Sequence, residues 1–268
     1  MTLITRRRVI DTALAGAASL AISPFELRTA EAKVSAAPIT STPLGNSLYL
    51  YSGAGGNVVA ASGPDGALMV DGGLAERTRE LLRRVTSDTG RRRVDILFNT
   101  HWHWDHTGSN ERLARQGAKI VAHENTKEWL GAEIISKWEN RTYEPRPAIA
   151  RPTQTFYYGT QHLSFAGESL EYGIMPEAHT DGDIYVFFPR ENVLVGGGVV
   201  AGGRYPIIDY CTDGWLGGMT EGLQMLIGKC DGQTRIVPES GPVRSRADLA
   251  AQLDMCSTVL DRIFSSYY

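Results

Sequence analysis

The segment His101-Trp102-His103-Trp104-Asp105-His106 packs three of the chain's six histidines and an aspartate into six residues. Imidazole and carboxylate together suit zinc or iron, and the cluster contains no thiolate. Side chains alternate along an extended segment, so His101, His103 and Asp105 are expected on one side. A turn at Asp105-His106 then brings His106 to a neighbouring position, and one loop can present ligands to two metal ions. The bland alternative, a polar loop of histidines bonded to backbone, suits a lone histidine better than a run of this density. The apolar run Val94-Asp95-Ile96-Leu97-Phe98-Asn99 reads as a strand that delivers the chain directly into the loop.

Around this loop the sequence describes one globular domain behind a targeting segment. A chain of 268 residues with 42% hydrophobic residues has enough apolar surface for a sizeable core. Its net charge of −3 gives no concentrated basic surface, which argues against nucleic acid as a partner. Thr5-Arg6-Arg7-Arg8-Val9-Ile10 looks like a twin-arginine export signal. An apolar stretch over 13–22 follows it, and Ala30-Glu31-Ala32 offers a small-x-small cleavage site. That stretch is too short to cross a bilayer, so the expectation is a signal peptide over 1–32, no membrane anchor, and a periplasmic protein beginning at Lys33. Cys211, Cys230 and Cys256 are an odd number, which allows at most one disulfide and leaves at least one free thiol.

The pattern along 33–268 alternates short strands with helices. Strands are expected over 48–51, 57–61 and 67–71, then an amphipathic helix over 76–85 with Leu81, Leu82 and Val85 apolar between arginines. Ser109 is placed to cap a short helix ending at Gly117, followed by a strand over 119–122 and a helix over 125–138. The proline-rich stretch 145–152 reads as a loop. Strands over 161–165, 169–173, 184–188 and 193–195 precede a C-terminal helix over 245–264. Met69-Val70-Asp71-Gly72-Gly73 and Leu194-Val195-Gly196-Gly197-Gly198 have the form of one strand end occurring in two related halves.

The spacing His-x-His-x-Asp-His is similar to the metal-binding signature of the metallo-β-lactamase superfamily. Leu68-Met69-Val70-Asp71-Gly72-Gly73 resembles the family's early strand ending in Asp-Gly, and His179-Thr180-Asp181-Gly182-Asp183 resembles the segment that carries its next metal-binding histidine. Tyr205-Pro206-Ile207-Ile208-Asp209 resembles a stretch found in one bacterial branch. The resemblance covers nearly all of the chain after residue 45 and implies an α/β (α+β) fold, a four-layer αββα sandwich. It also implies that His101, His103 and His179 hold a first zinc ion, with the fourth position open to a water acidified toward pKa ~7. Asp105 and His106 then belong to a second ion.

Two departures from the family bear on that second ion. Gly198 stands where the family places a metal-bridging aspartate or a cysteine, and Ser240, within Pro238-Glu239-Ser240-Gly241, stands where it places a last histidine. The expectation is therefore one tight Zn2+ with a second weak or absent, leaving Asp105 to orient the water or act as general base. Glu239, Cys211, Asp209 and Asp213 are candidate replacement ligands, while His123 and His162 read as structural. Asp71 is either an acceptor for a ligand histidine or a turn-forming residue before Gly72. Trp102 and Trp104 either line the mouth of the site or pack against neighbouring loops. The implied activity is hydrolysis of an ester, amide or lactam-type bond in a small molecule, with a β-lactam among the candidates. The alternative is a degenerate metal- or ligand-binding member without efficient turnover.

Overall fold

A computed structural model of the protein describes residues 37–266 apart from 138. The expected signal over 1–32 and the start of the mature chain at Lys33 lie outside the described residues. The first half of Pro38–Tyr268, one compact unit, runs through strands β1 (Thr40–Pro43), β2 (Leu48–Ala54), β3 (Gly56–Gly63) and β4 (Gly66–Val70). It continues through α1 (Thr78–Thr89), β5 (Ile96–Phe98), α2 (Trp104–Thr107), α3 (Asn110–Arg115), β6 (Lys119–His123) and α4 (Glu124–Trp129). A small hairpin of β7 (Ile134–Ser136) and β8 (Arg141–Tyr143) leads to β9 (Gln154–Phe156). The second half comprises β10 (Thr160–Phe165), β11 (Glu168–Ile174), β12 (Ile184–Phe188), β13 (Val193–Gly197), α5 (Leu216–Lys229), β14 (Arg235–Pro238) and α6 (Arg246–Ser265).

Among the described residues the strands form a seven-stranded sheet in the order β1-β2-β3-β4-β5-β6-β9 and a five-stranded sheet in the order β10-β11-β12-β13-β14. Strand alternation sorts their side chains into three apolar layers. Leu68 and Val70 of β4 and Val193 and Val195 of β13 meet between the sheets, together with Phe98, Tyr172 and Val186. Met69 points the other way, onto Leu81 and Val85 of α1 and Leu113 of α3. Leu194 likewise faces Leu223 and Leu226 of α5 and Leu249 and Cys256 of α6. Helix, sheet, sheet and helix are thus stacked as the four-layer αββα sandwich.

The two halves share a plan. In each, antiparallel strands lead to a strand ending in glycines, and a helix crosses over to a parallel neighbour: β4-α1-β5 in the first, β13-α5-β14 in the second. Met69 and Leu194 face their helices while Val70 and Val195 face the opposite sheet, so the two strand ends correspond in orientation as well as sequence.

Two local expectations are revised. The helix expected over 125–138 stops at Trp129, because Ile134 and Ser136 are buried while Ile135 is 59% exposed, a two-residue period that suits the β7–β8 hairpin. Ser109 makes no side-chain cap; its hydroxyl donates to the Gly72 carbonyl and pairs with Thr78 Oγ1 at 2.9 Å, tying α3 to the turn after β4. Helix α5 gives little helical signal because four of its residues are glycines. A Cβ on Gly218 would stand 1.6 Å from the Glu177 carbonyl, so close approach rather than intrinsic propensity places that residue. The C-terminal helix over 246–265 starts from a capping box, in which Ser245 and Asp248 satisfy each other's backbone N–H groups.

Phe98, fully buried, stacks at 4.8 Å on Tyr172 of the facing sheet. Phe98→Ala is expected to lower unfolding stability by about 3–5 kcal/mol in urea denaturation, and a loss under about 1 kcal/mol would contradict this view of the inter-sheet core.

Candidate metal centre

The loops at the ends of β4, β5, β13 and β14 meet at one edge of the sandwich. A Cβ on Gly197, at the end of β13, would lie 2.7 Å from the Thr100 side chain beyond β5. Asn57 of β3 bridges the sheets there. Its backbone N–H donates to the Glu239 carbonyl at 2.6 Å, and its amide donates to the carbonyls of Pro238 and Gly241. The histidine loop opens extended and closes with the short helical turn α2, so His106 folds back against His101 while the Trp102 ring packs edge-on against His103 at 4.5 Å.

Hydrogen bonds on the outer side of each imidazole fix which nitrogen faces inward. Thr100 Oγ1 donates to Asp71 Oδ2 at 2.8 Å, so at 2.9 Å it must accept the proton of His101 Nδ1. The Ile207 carbonyl can only accept, which places a proton on His179 Nδ1, 2.8 Å away. His103 Nε2 donates to Asp209 Oδ2 at 3.1 Å, and His106 Nδ1 donates to Asp71 Oδ2 at 2.8 Å. Lone pairs therefore converge from His101 Nε2, His103 Nδ1 and His179 Nε2. The last two nitrogens are 3.0 Å apart with no proton between them, and His101 Nε2 is buried without a hydrogen-bond partner. Neutral donors so arranged repel one another unless a cation lies among them, and three imidazoles with an open fourth direction suit zinc.

Burial, reinforced by the neighbouring imidazoles of His106, His103 and His179, holds His101 well below the usual histidine range. Burial also lowers His103, against the opposing effect of its hydrogen bond to Asp209. For His106 burial is outweighed by the carboxylates of Asp71 and Asp105, and its pKa is pushed up to about 9. His101 and His103 are thus kept neutral and ready to ligate, whereas a metal at His106 must displace a proton.

A second group shares His101 with His106 and Glu239, whose ligand atoms lie within 4.8 Å of one another. Glu239 is buried and turns inward, its Oε2 4.0 Å from His179 Nε2. Asp105, with a side chain 36% exposed, stands at the mouth 3.9 Å from His106 Nε2. The close fit leaves no room for additions: a Cβ on Gly198 would lie 2.0 Å from the His179 ring, and one on Gly56 would lie 2.4 Å from that of His106. Ser240 is half-buried, its carbonyl against Gly202, immediately after the inward-facing Glu239.

The other candidates have different tasks. Asp209 lies behind His103, receiving Thr212 Oγ1 at 2.7 Å, and Thr212 in turn receives the Trp102 indole N–H at 3.0 Å. Cys211 packs near Trp102, Leu130 and Ile134, and Asp213 is exposed in a left-handed turn. All three cysteines are free thiols. His123 accepts the Asn125 N–H to cap α4, and His162 lies exposed in β10 opposite Glu171. Trp102 is buried, while Trp104 carries the Arg141 guanidinium at 4.3 Å beside a cleft of about 490 Å³. Asp71 fills both of its readings, accepting from His106 and making the left-handed turn before Gly72; the relay through Thr100, the Asn57 clamp and the Arg204–Glu239 ion pair at 2.6 Å have no local sequence signature.

Replacing the Asp71 carboxylate, both of whose oxygens accept, with the amide of Asp71→Asn is expected to weaken metal binding about 10–100-fold in chelator competition. Zinc held through His106 is expected to loosen about tenfold per pH unit below pH 9. Zinc held through His101 and His103, whose pKa values are lowered, stays bound at lower pH, so calorimetric titration at several pH values should separate the two classes.

The sequence model of the metallo-beta-lactamase superfamily matches residues 52–253. A Bacillus cereus protein described as metallo-beta-lactamase type 2 is 25% identical over 191 residues, covering 71% of this chain and 68% of that one. The alpha subunit of a 2,4-dinitroanisole O-demethylase from Nocardioides sp. (strain JS1661) is 25% identical over 181 residues, and the match spans about half (52%) of that subunit. Among solved structures, a metallo-beta-lactamase from Pontibacter korlensis aligns at TM-score 0.67 with 22% identity, over 82% of this chain and 99% of that one. The chain belongs to the metallo-beta-lactamase superfamily and is a metal-dependent hydrolase of that family.

Proposed function

We propose that the protein is an exported, zinc-dependent hydrolase of small molecules with an ester, amide or lactam-type bond, a β-lactam among them. One observation carries this reading: the three inward lone pairs of His101, His103 and His179, each fixed by an outer hydrogen bond. When bound, zinc supplies a Lewis acid and a nucleophile available at neutral pH. The chain's own residues do the rest. Burial keeps His101 and His103 neutral, and Asp209 and the Ile207 carbonyl aim His103 and His179. Asp105, partly exposed beside His106, is placed to orient a water or accept its proton at Oδ2. The tight ion belongs to the three-histidine group, and a weaker one to His106, Glu239 and Asp105.

The twin-arginine motif at Arg6-Arg7 supports export to the periplasm, where β-lactams arrive. Among the described residues no helix is long and apolar enough to cross a membrane. The demethylase relative adds activated aryl methyl ethers to the substrates worth testing. Zinc-loaded protein is expected to hydrolyse at least one member of a panel of lactams, lactones, thioesters and aryl ethers. A chelator or His179→Ala is expected to lower kcat/KM by about 10³-fold or more. Stoichiometric zinc with no turnover across the panel would favour a binding role instead.

A further inference from the structure

Glu239 faces two ways. Its backbone is clamped by Asn57 and its side chain is 8% exposed, so the carboxylate stays at the site. Oε2 looks toward the imidazoles, 4.0 Å from His179 Nε2, and within the group that His101 and His106 complete. Oε1 accepts from Arg204 Nη2 at 2.6 Å. A buried carboxylate needs a cation, and here an internal one already stands beside it.

Arg204 differs from Glu239 in its freedom to leave. Its side chain is 56% exposed, so its guanidinium can exchange the carboxylate for water. It follows Gly203, which has φ +96 and open space where a side chain would be. Tyr205 beside it is 81% exposed and holds the segment to nothing. The carboxylate is fixed, and its partner can be exchanged.

We propose that Arg204 and a divalent metal ion compete for Glu239. Arg204 neutralises the carboxylate and thereby weakens the site formed with His106; an ion bound there displaces the guanidinium and frees the segment around Tyr205. Occupancy of the second site is thereby coupled to the mobility of the rim over 203–205, while the Ile207 carbonyl stays on His179. The inference rests on the reading above that the histidine cluster binds metal.

The test is zinc titration of the full mature protein by calorimetry and metal analysis, with hydrogen exchange of the rim followed in parallel. Wild type is expected to bind one tight and one weak ion, with exchange over 203–205 rising as the weak ion binds. Arg204→Ala should tighten the weak ion about tenfold or more, leave the tight one unchanged, and show fast rim exchange throughout. Arg204→Lys, which keeps the charge, should stay close to wild type, and Glu239→Gln should lose the weak ion while retaining the tight one. Normal tight binding with an unchanged weak affinity in Arg204→Ala overturns the competition alone. Failure of wild type to bind any zinc overturns both this inference and the proposed function.

Discussion

The Asp71 carboxylate is the anchor on which the site's geometry depends. It is 2% exposed and held at φ 64, a left-handed conformation that costs a residue with a side chain of order 1–3 kcal/mol. Three donors offset that strain: the Thr100 N–H, the Thr100 hydroxyl and His106 Nδ1, each at 2.8 Å. Its own N–H donates to the Phe98 carbonyl. One carboxylate thereby aims His106 directly and His101 through the Thr100 hydroxyl. The histidine loop cannot move as a unit without breaking these bonds.

The same logic extends outward. Asp209 and the Ile207 carbonyl aim His103 and His179 from the far side, so each inward nitrogen has a fixed outer counterpart. Glycines at 56 and 198 supply the space for the rings they face. The fold's contribution is an edge where two similar β-α-β units end together, and strand pairing sets that edge to within bond distances.

The sequence made legible what lies within a few residues of itself. His101, His103 and His106 stand out because one loop carries them, and the alternation of β4 and β13 shows through their apolar runs. His179 was reachable by family resemblance, since nothing local marks it as a ligand. The direction in which Glu239 turns depends on Asn57, 182 positions away in the chain, and no local pattern encodes such a contact. Asp209 illustrates the same limit: its residue type suggested a ligand, whereas its place behind His103 makes it an orienting partner. Helix α5 was hidden by glycines that serve packing, and the β7–β8 hairpin by a stretch whose composition suits a helix equally well.

The Asn57 bridge places the centre on a seam. His101, His103 and His106 come from the half built on the seven-stranded sheet, and His179 and Glu239 from the half built on the other. Neither half alone owns a complete donor set, so a bound ion acts as a clasp across the two sheets. Whatever ion the centre holds is therefore also a folding ligand that favours the closed sandwich by mass action. Loading the metal and fastening the two halves thereby become one event.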